Sequence, residues 1–419
     1  MTNFKKIYLI GAGLSGLSAA CHLIQRKKKI TIFESTSHAG GRCRSYYDKS
    51  LELKIDNGNH LILSANKNFL NFCKLINSSD SINIYKPTFN FYDMNNKSNW
   101  SIELNKGTIP WWLLNSKKRV PNTNFFDYLK IFKFKFCKPS DTVADLVGGQ
   151  KELYLNFWEP LTLGVLNTPC NTASAKLLWN VLKETFLKGS EFCKICQPKN
   201  NWNETLINPA TKFLEKNGVS INFNSLVKGF DISNNYIKKI YFANNEINIS
   251  KDDTIITSIP PNGLSKLLPM HALPNEFNTI VNIHFKIKSH NIKNLDPPIL
   301  GVINSLTHWI FIKKEYISIT ISSANKLLNF NSEQLANRVW TEVRQALSLS
   351  QEKIPEFKIL KEKTATYEQS PKNTDLVKNL CNLPKNLILS GDWTQKNFPS
   401  TIESSILSGK KSIEKLLNH

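Results

Sequence analysis

Lys6-Ile7-Tyr8-Leu9-Ile10-Gly11-Ala12-Gly13-Leu14-Ser15-Gly16-Leu17-Ser18-Ala19-Ala20 is an apolar, β-like run that passes straight through G-x-G-x-x-G into a helical pattern. The spacing reads as a dinucleotide site. Gly11 permits a tight strand-to-helix turn, Gly13 lets the backbone approach a pyrophosphate, and Gly16 lets the helix lie on the strand. Ala12, Leu14 and Ser15 complete the loop and first turn, where a helix N-terminus offers N–H donors and positive dipole. A second short strand, Ile30-Thr31-Ile32-Phe33, ends in Glu34, eighteen residues after Gly16. A carboxylate there can take a ribose hydroxyl and disfavours a 2′-phosphate.

Ala39-Gly40-Gly41-Arg42-Cys43-Arg44 follows closely, adding a second flexible backbone segment and two cations. A nicotinamide site does not need that addition, whereas a dinucleotide with a long phosphate bridge does. Many FAD proteins resemble this stretch in carrying Gly-Gly-Arg just after the ribose-binding acid. The N-terminal run also loosely imitates a lipoprotein signal, with Lys5-Lys6 before it and Ala19-Ala20-Cys21 at its end. Three glycines at fingerprint spacing, followed by Lys27-Lys28-Lys29 and a strand, argue against an export helix. Nowhere else do 18 apolar residues run uninterrupted, so no membrane-spanning helix is predicted.

A chain of 419 residues can bury a large core and is long enough for more than one domain. Charge is the outlier: 54 Lys and Arg against 33 Asp and Glu give +21. Such an excess suits an anionic membrane surface as partner. Equally, heavy joint use of Lys, Asn and Ile is what drift toward AT-rich codons produces. No RNA-binding signature and no basic heptad helix accompanies the charge, so nucleic acid is not expected as a partner. Eight cysteines are scattered without disulfide-framework spacing, which fits a reducing cytoplasm, and the +21 charge adds the expectation of peripheral attachment to the inner face of the membrane. Cys193-Lys194-Ile195-Cys196 is a single CxxC with no second pair or His cluster, so no metal site is predicted.

Composition stays even along the chain, which argues for interleaved domains. Strand, helix, strand and glycine loop fill the first 62 residues; longer helical and aromatic segments follow to about residue 200. Among these, Phe125-Phe126-Asp127-Tyr128-Leu129-Lys130-Ile131-Phe132-Lys133-Phe134 fits either alternate burial or a helical face. Asn217–Phe223, Asp253–Pro261 and Asn386–Asp392 then read as short strands that resume the first domain, and a last helix runs from about Thr401 to Leu417. The predicted fold class is α/β. A discontinuous Rossmann-like nucleotide domain takes residues 1–63, 205–265 and 380–419, and an interleaved α+β substrate domain takes 64–204 and 266–379.

Four patches resemble the FAD-dependent amine oxidase and phytoene desaturase superfamily: the fingerprint with Glu34 and Gly40-Gly41-Arg42, Val227 after the Gly218-Val219 strand, the strand ending at Pro260-Pro261, and Gly391-Asp392 with Thr401-Ile402-Glu403. The resemblance implies that Val227 meets the adenine, that Asp392 binds the ribityl or pyrophosphate portion, and that the helix beginning at Thr401 and Ile402 points at the flavin pyrimidine. Negative charge gathers there on the reduced ring. Narrower matches are Asp56-Asn57-Gly58-Asn59-His60, Phe157-Trp158-Glu159-Pro160-Leu161, Leu166-Asn167-Thr168-Pro169, His308-Trp309-Ile310-Phe311 and Gly391-Asp392-Trp393-Thr394. Together they resemble the hydroxysqualene dehydroxylase family of bacterial hopanoid-type squalene synthesis. The family pattern has Gln at Asn59 and at His308, and Gly-Ala at Ser404-Ser405.

That family implies non-covalent FAD, a long-chain isoprenoid substrate, a separate electron donor, and replacement of an allylic C–OH by C–H. Hydroxide leaves poorly, so an acid must protonate the departing oxygen while apolar walls exclude water. His60, Asp56 and Glu159 are the candidate acids; each also has a structural reading, as a polar neighbour of a strand, a turn cap or a helix cap. Trp158, Trp309 and Phe311 are candidate walls of the substrate pocket and are equally suited to a core. Two other functions remain on the same residues: an isoprenoid desaturase running the opposite way, and a flavin-free prenyl-binding escort protein.

Overall fold

The computed structural model describes residues 6–26, 29–149, 151–289, 292 and 295–417. Lys27, Lys28 and the first five residues of the 1–63 segment lie outside them.

Ile7–Ile10 is the middle strand of a five-stranded sheet. Its neighbours run Ile221–Asn222, Ile30–Phe33, Ile7–Ile10, Thr254–Thr257 and Leu387–Leu389 across the sheet, all parallel. Parallel strands covered on both faces need apolar residues at every position, and the run shows why. Ile7 and Leu9 face one core with Leu17, Ile256 and Ile406; Tyr8 and Ile10 face a second with Ile237, Ile240 and Leu264. The fingerprint helix, Leu14–Ile24, and the C-terminal helix, Ile402–Leu417, pack on the first face. A three-stranded antiparallel sheet, Gly229–Ser233, Tyr236–Tyr241 and Glu246–Asn248, covers the second.

The two helices meet at Gly409, where a Cβ would fall 2.4 Å from the Ser15 carbonyl oxygen and 2.8 Å from the Ala19 nitrogen. Ser18 donates its hydroxyl to the Ile406 carbonyl at 2.8 Å across the same crossing. Small residues on both helices are therefore what lets the C-terminal helix reach the fingerprint.

A second, seven-stranded sheet runs Phe357–Tyr367, Phe277–Lys286, Tyr316–Ile321, Trp309–Ile312, Ile299–Ile303, Thr88–Asp93 and Ser98–Glu103. Its pairings are antiparallel except that of Ile299–Ile303 with Thr88–Asp93. The helix Ser332–Leu347 covers one face through Val339, Trp340 and Val343. Near Phe91 and Phe311 the other face meets an apolar core built by residues 112–195.

Between residues 64 and 204, the helix Lys67–Leu75 sends Phe69, Phe72 and Cys73 into the nucleotide core, and Cys196 and Trp202 join them. An amphipathic helix buries its apolar face against whatever partner the topology offers, and nothing in its own sequence names that partner. Phe125–Phe136 is a 3-10 helix with Asn124 and Asp127 capping it reciprocally. Its period is three: Phe125, Tyr128, Ile131 and Phe134 point inward, so alternation and a 3.6-residue repeat both miss it. Two π-turns, Tyr154–Trp158 and Asn203–Ile207, each stand two residues before a proline, Pro160 and Pro209. Proline supplies no N–H and its ring crowds the carbonyl four residues back, so the helix widens by one residue rather than breaking.

Candidate functional site

The first part of the site lies at the carboxyl edge of the parallel sheet. Gly11 leaves its strand at φ 98° and donates to the Phe33 carbonyl at 2.8 Å. The Ser258 hydroxyl, just past the strand Thr254–Thr257, lies 3.1 and 2.9 Å from the Ile10 and Gly11 carbonyls and pins the turn. A Cβ on Gly16 would fall 2.0 Å from the Gly11 carbonyl oxygen, so the loop is closed there. At Gly13 the opposite holds: a Cβ would meet nothing within 4 Å. The helix that starts there has no side-chain cap, which leaves its first N–H groups without an intrahelical partner. An open cradle lined by uncapped N–H groups fits a pyrophosphate. Ala12 and Leu14 are buried beneath it, and the Ser15 hydroxyl meets that of Ser390 at 2.5 Å.

Glu34 is buried beside this cradle. One carboxylate oxygen accepts from the Ala12 N–H at 2.8 Å; the other accepts from the Thr36 N–H and hydroxyl, each at 2.9 Å. Gly40 donates to the Ala12 carbonyl at 2.9 Å, and Gly41, at φ 56°, brings its Cβ position to 3.4 Å from the Gly13 Cα. The two glycine loops thus form one wall. Arg42 reaches across to Asp392 at 2.6 Å and to the Ala365 carbonyl at 2.5 Å. The Asp392 carboxylate raises the Arg42 pKa above its ordinary value. Val227 is buried beside Tyr8 and Phe33, and Ser225 donates to the Glu34 carbonyl at 2.8 Å.

Thr401 caps the C-terminal helix by accepting the Ser404 N–H at 3.2 Å, and Ile402 is buried in the nucleotide core. Ser404 is itself buried, its oxygen accepting from the Thr401 hydroxyl at 3.3 Å, so the added bulk is absorbed in the cap. Glu403 points away and accepts from the Asn68 N–H, the Asn68 amide and the Phe69 N–H at 2.7–3.0 Å. It caps the helix Lys67–Leu75, and burial raises its pKa.

The second part is a polar patch on the seven-stranded sheet. Asp56 is fully buried. It accepts from the Ser45 hydroxyl at 2.6 Å and the Trp202 N–H at 3.1 Å, with the Lys313 ammonium 3.5 Å away. The next residues cross the sheet. The Asn59 amide donates to the Ser318 and Thr320 hydroxyls at 2.7 and 2.9 Å; Thr320 donates to Asn282 at 2.9 Å, and Ser318 meets the His284 ring nitrogen at 2.8 Å. His60 stands edge-on to Trp202 at 5.6 Å. Burial lowers the pKa of both His60 and His284 to about 4, so each is neutral at pH 7. The Nε2 atoms of both rings and Asn59 Oδ1 are buried without a hydrogen-bond partner among the described residues. Buried polar atoms left this way point to a polar ligand group or water.

Glu159 opens the helix Glu159–Leu166 and is half-buried; desolvation raises its pKa, and no hydrogen bond holds its carboxylate among the described residues. Gly164 on that helix lies against Trp309, whose indole nitrogen is 3.3 Å from the Cβ position. Trp309 and Phe311 share one face of their strand and pack in the apolar core at that end of the sheet. Trp158 is buried in the same core, stacked on Phe134 at 5.3 Å. His308 accepts from the Ser322 N–H at 3.1 Å, and burial lowers its pKa to about 4.

Sequence reasoning passed over Asn282, His284, Ser318, Thr320 and Lys313. A signal existed: Ile317-Ser318-Ile319-Thr320-Ile321-Ser322 alternates strictly, as do Asn282 and His284 between Val281, Ile283 and Phe285. Period two marks one polar face on a strand whose other face is core.

Replacing Glu34 with Ala removes the acceptor beside the cradle and is expected to weaken binding of the dinucleotide expected there by about 1–3 kcal/mol, the range for hydrogen bonds to a charged group. Flavin titration of the apoprotein measures it, and unchanged affinity would place the ribose contact elsewhere.

Residues 14–415 match the family described as flavin containing amine oxidoreductase. Hydroxysqualene dehydroxylase from Sinorhizobium fredii is 33% identical over 422 residues, covering 99% of each chain. The enzyme of the same name from Zymomonas mobilis is 33% identical over 98% of this chain and 99% of its own. At greater distance, 15-cis-phytoene desaturase from Synechococcus elongatus is 20% identical over 98% of this chain and 96% of its own. Among solved structures, cyclohexylamine oxidase from Brevibacterium oxydans shares the fold, with a TM-score of 0.72 at 10% identity and full coverage of both chains. The chain thus belongs to the flavin-containing amine oxidoreductases and, within them, to the hydroxysqualene dehydroxylase family.

Proposed function

We propose that this protein reduces hydroxysqualene to squalene with electrons from non-covalently bound FAD. The observation that carries the reading is 33% identity over 99% of both chains to an enzyme of that name. The cradle at Gly13, the acid at Glu34 and the Arg42–Asp392 pair support FAD as the flavin. Bound and reduced, the flavin supplies a hydride equivalent; carbon gains it, the C–O bond breaks, and the oxygen leaves with a proton as water. The protein's tasks are to hold the chain of the substrate, exclude water and deliver that proton.

Of the three candidate acids, we assign the proton to Glu159. Its carboxylate is half-buried with no hydrogen-bond partner among the described residues, and desolvation raises its pKa, the direction a proton donor needs. His60 is neutral there and Asp56 is held by three partners, so both are assigned to positioning. Trp309 and Phe311 are proposed as walls of the apolar end, with Trp158 behind them. An isoprenoid this apolar resides in lipid, and we place the protein at an anionic membrane surface in the cytoplasm, where its electron donor meets it.

The test is anaerobic incubation of photoreduced holoenzyme with hydroxysqualene. Flavin reoxidation with one squalene formed per flavin supports the reading. Oxidised flavin reduced by an isoprenoid, with a new double bond in the product, would make it a desaturase; a purified protein that holds prenyl lipid and no flavin would make it an escort. Glu159→Gln is expected to slow single turnover at least tenfold with flavin content intact. In the native protein the rate should fall as pH rises through the Glu159 pKa, and the variant should lose that limb.

A further inference from the structure

Six large apolar side chains, Trp111, Leu114, Phe126, Leu129, Phe132 and Phe136, stand 40–78% exposed within 26 residues. The segments that carry them are neighbours: Trp112 meets Tyr128 edge-on at 5.8 Å, and Arg119 donates to the carbonyls of Leu113 and Thr123. Packing does not require this exposure. The inward stripe of the 3-10 helix already supplies Tyr128 and Phe134 to the core, and Phe126, Leu129 and Phe132 repeat on a separate stripe of the same period. Exposed apolar clusters of this kind mark interaction surfaces.

Charge narrows the partner. Residues 106–138 carry eight Lys or Arg and one acid, Asp127. Lys133 and Lys135 are exposed among the phenylalanines, and the Lys135 ammonium sits 5.6 Å from the Phe136 ring. Two copies of so basic a face repel, which argues against self-pairing through it. Aromatic rings with flexible cations between them match a bilayer interface, where rings enter the headgroup region and ammonium groups meet lipid phosphates. We infer that residues 109–136 form the surface by which this protein docks on an anionic lipid bilayer.

The inference deepens the membrane placement proposed above and rests on it. The inner side of the same surface packs on the apolar core that holds Trp158 and Phe311. Tyr128 lies against Phe157 at 6.2 Å, and Phe134 stacks on Trp158, the residue before Glu159. A lipid-dissolved substrate would meet the substrate side of the protein here.

The test is co-sedimentation of the flavin-loaded protein with phosphatidylglycerol-containing vesicles and with pure phosphatidylcholine vesicles. Wild type is expected to bind the anionic vesicles at least tenfold more strongly, with weakening by salt. The triple variant Phe126→Ser, Phe132→Ser, Phe136→Ser should lose at least tenfold, and Lys133→Glu with Lys135→Glu should lose the salt-sensitive part. All these side chains are exposed, so flavin content and melting should match wild type. Phe223→Ser with Leu226→Ser, on another exposed site, should bind as wild type does. Strong wild-type binding that both patch variants retain would overturn this surface and leave the membrane reading standing. No wild-type binding to either vesicle would overturn both. Concentration-dependent dimers abolished by the triple variant, without vesicle binding, would assign the face to a second copy.

Discussion

Asp56→Ala is expected to destabilise the protein by about 3–5 kcal/mol, the usual result of removing one partner of a buried charge pair. Asp56 is fully buried, and the Lys313 side chain 3.5 Å away is only 12% exposed. Alanine leaves that ammonium facing apolar surroundings and strips acceptors from the Ser45 hydroxyl and the Trp202 N–H. The hairpin of Ser45–Asp48 and Leu53–Asp56 would lose its ion pair with Lys313 and keep the Asp56 N–H bond to the Tyr316 hydroxyl at 3.3 Å. Urea denaturation gives the magnitude. Adding Lys313→Met should restore part of the loss, since the charge left unpaired is then gone. Unchanged stability with abolished turnover would move Asp56 from positioning into the chemistry.

Gly409→Val is expected to be as damaging, by about 2–4 kcal/mol, above the common 1–3 kcal/mol for overpacking. The atoms it would strike are backbone, the Ser15 carbonyl and the Ala19 nitrogen, and they cannot swing aside. Helix propensity works the other way by under ~1 kcal/mol, too little to offset the clash. Because the displaced helix begins at the candidate flavin contact, flavin content should fall with the melting temperature. A variant that melts as wild type and keeps its flavin would show that the two helices can separate at no loss.

The glycine cradle beside Glu34 is legible in the sequence because its backbone requirements are local. Gly11, Gly13, Gly16 and Glu34 lie within one strand–helix–strand unit, and Gly11 and Gly16 answer to backbone requirements, a φ of 98° and a Cβ position 2.0 Å from the Gly11 carbonyl oxygen. The reach of Arg42 to Asp392 was not legible, since 350 residues separate them and only the sheet order brings them together. The polar patch shows the same limit. Alternation in Ile317–Ser322 reveals a polar face, but the register of Asn282 against Thr320 is what places it beneath Asn59. The aromatic run 125–136 resisted for another reason: a period of three is rare over that length, so neither common template describes it. The helix Lys67–Leu75 carries a clear apolar face, yet its packing partner lies at the other end of the chain.

The Gly409 crossing also bears on how the protein is made. The fingerprint helix is translated long before the helix that covers its small-residue face. At ~5–20 residues per second, nearly 400 residues of synthesis take roughly 20–80 s. Throughout that time Ser15, Ser18 and Ala19 have no lid, and the strand Leu387–Leu389 has yet to join the sheet. Until that helix is made, the face of Leu14–Ile24 that it buries in the native fold has no partner, and the two must meet across the length of chain between them.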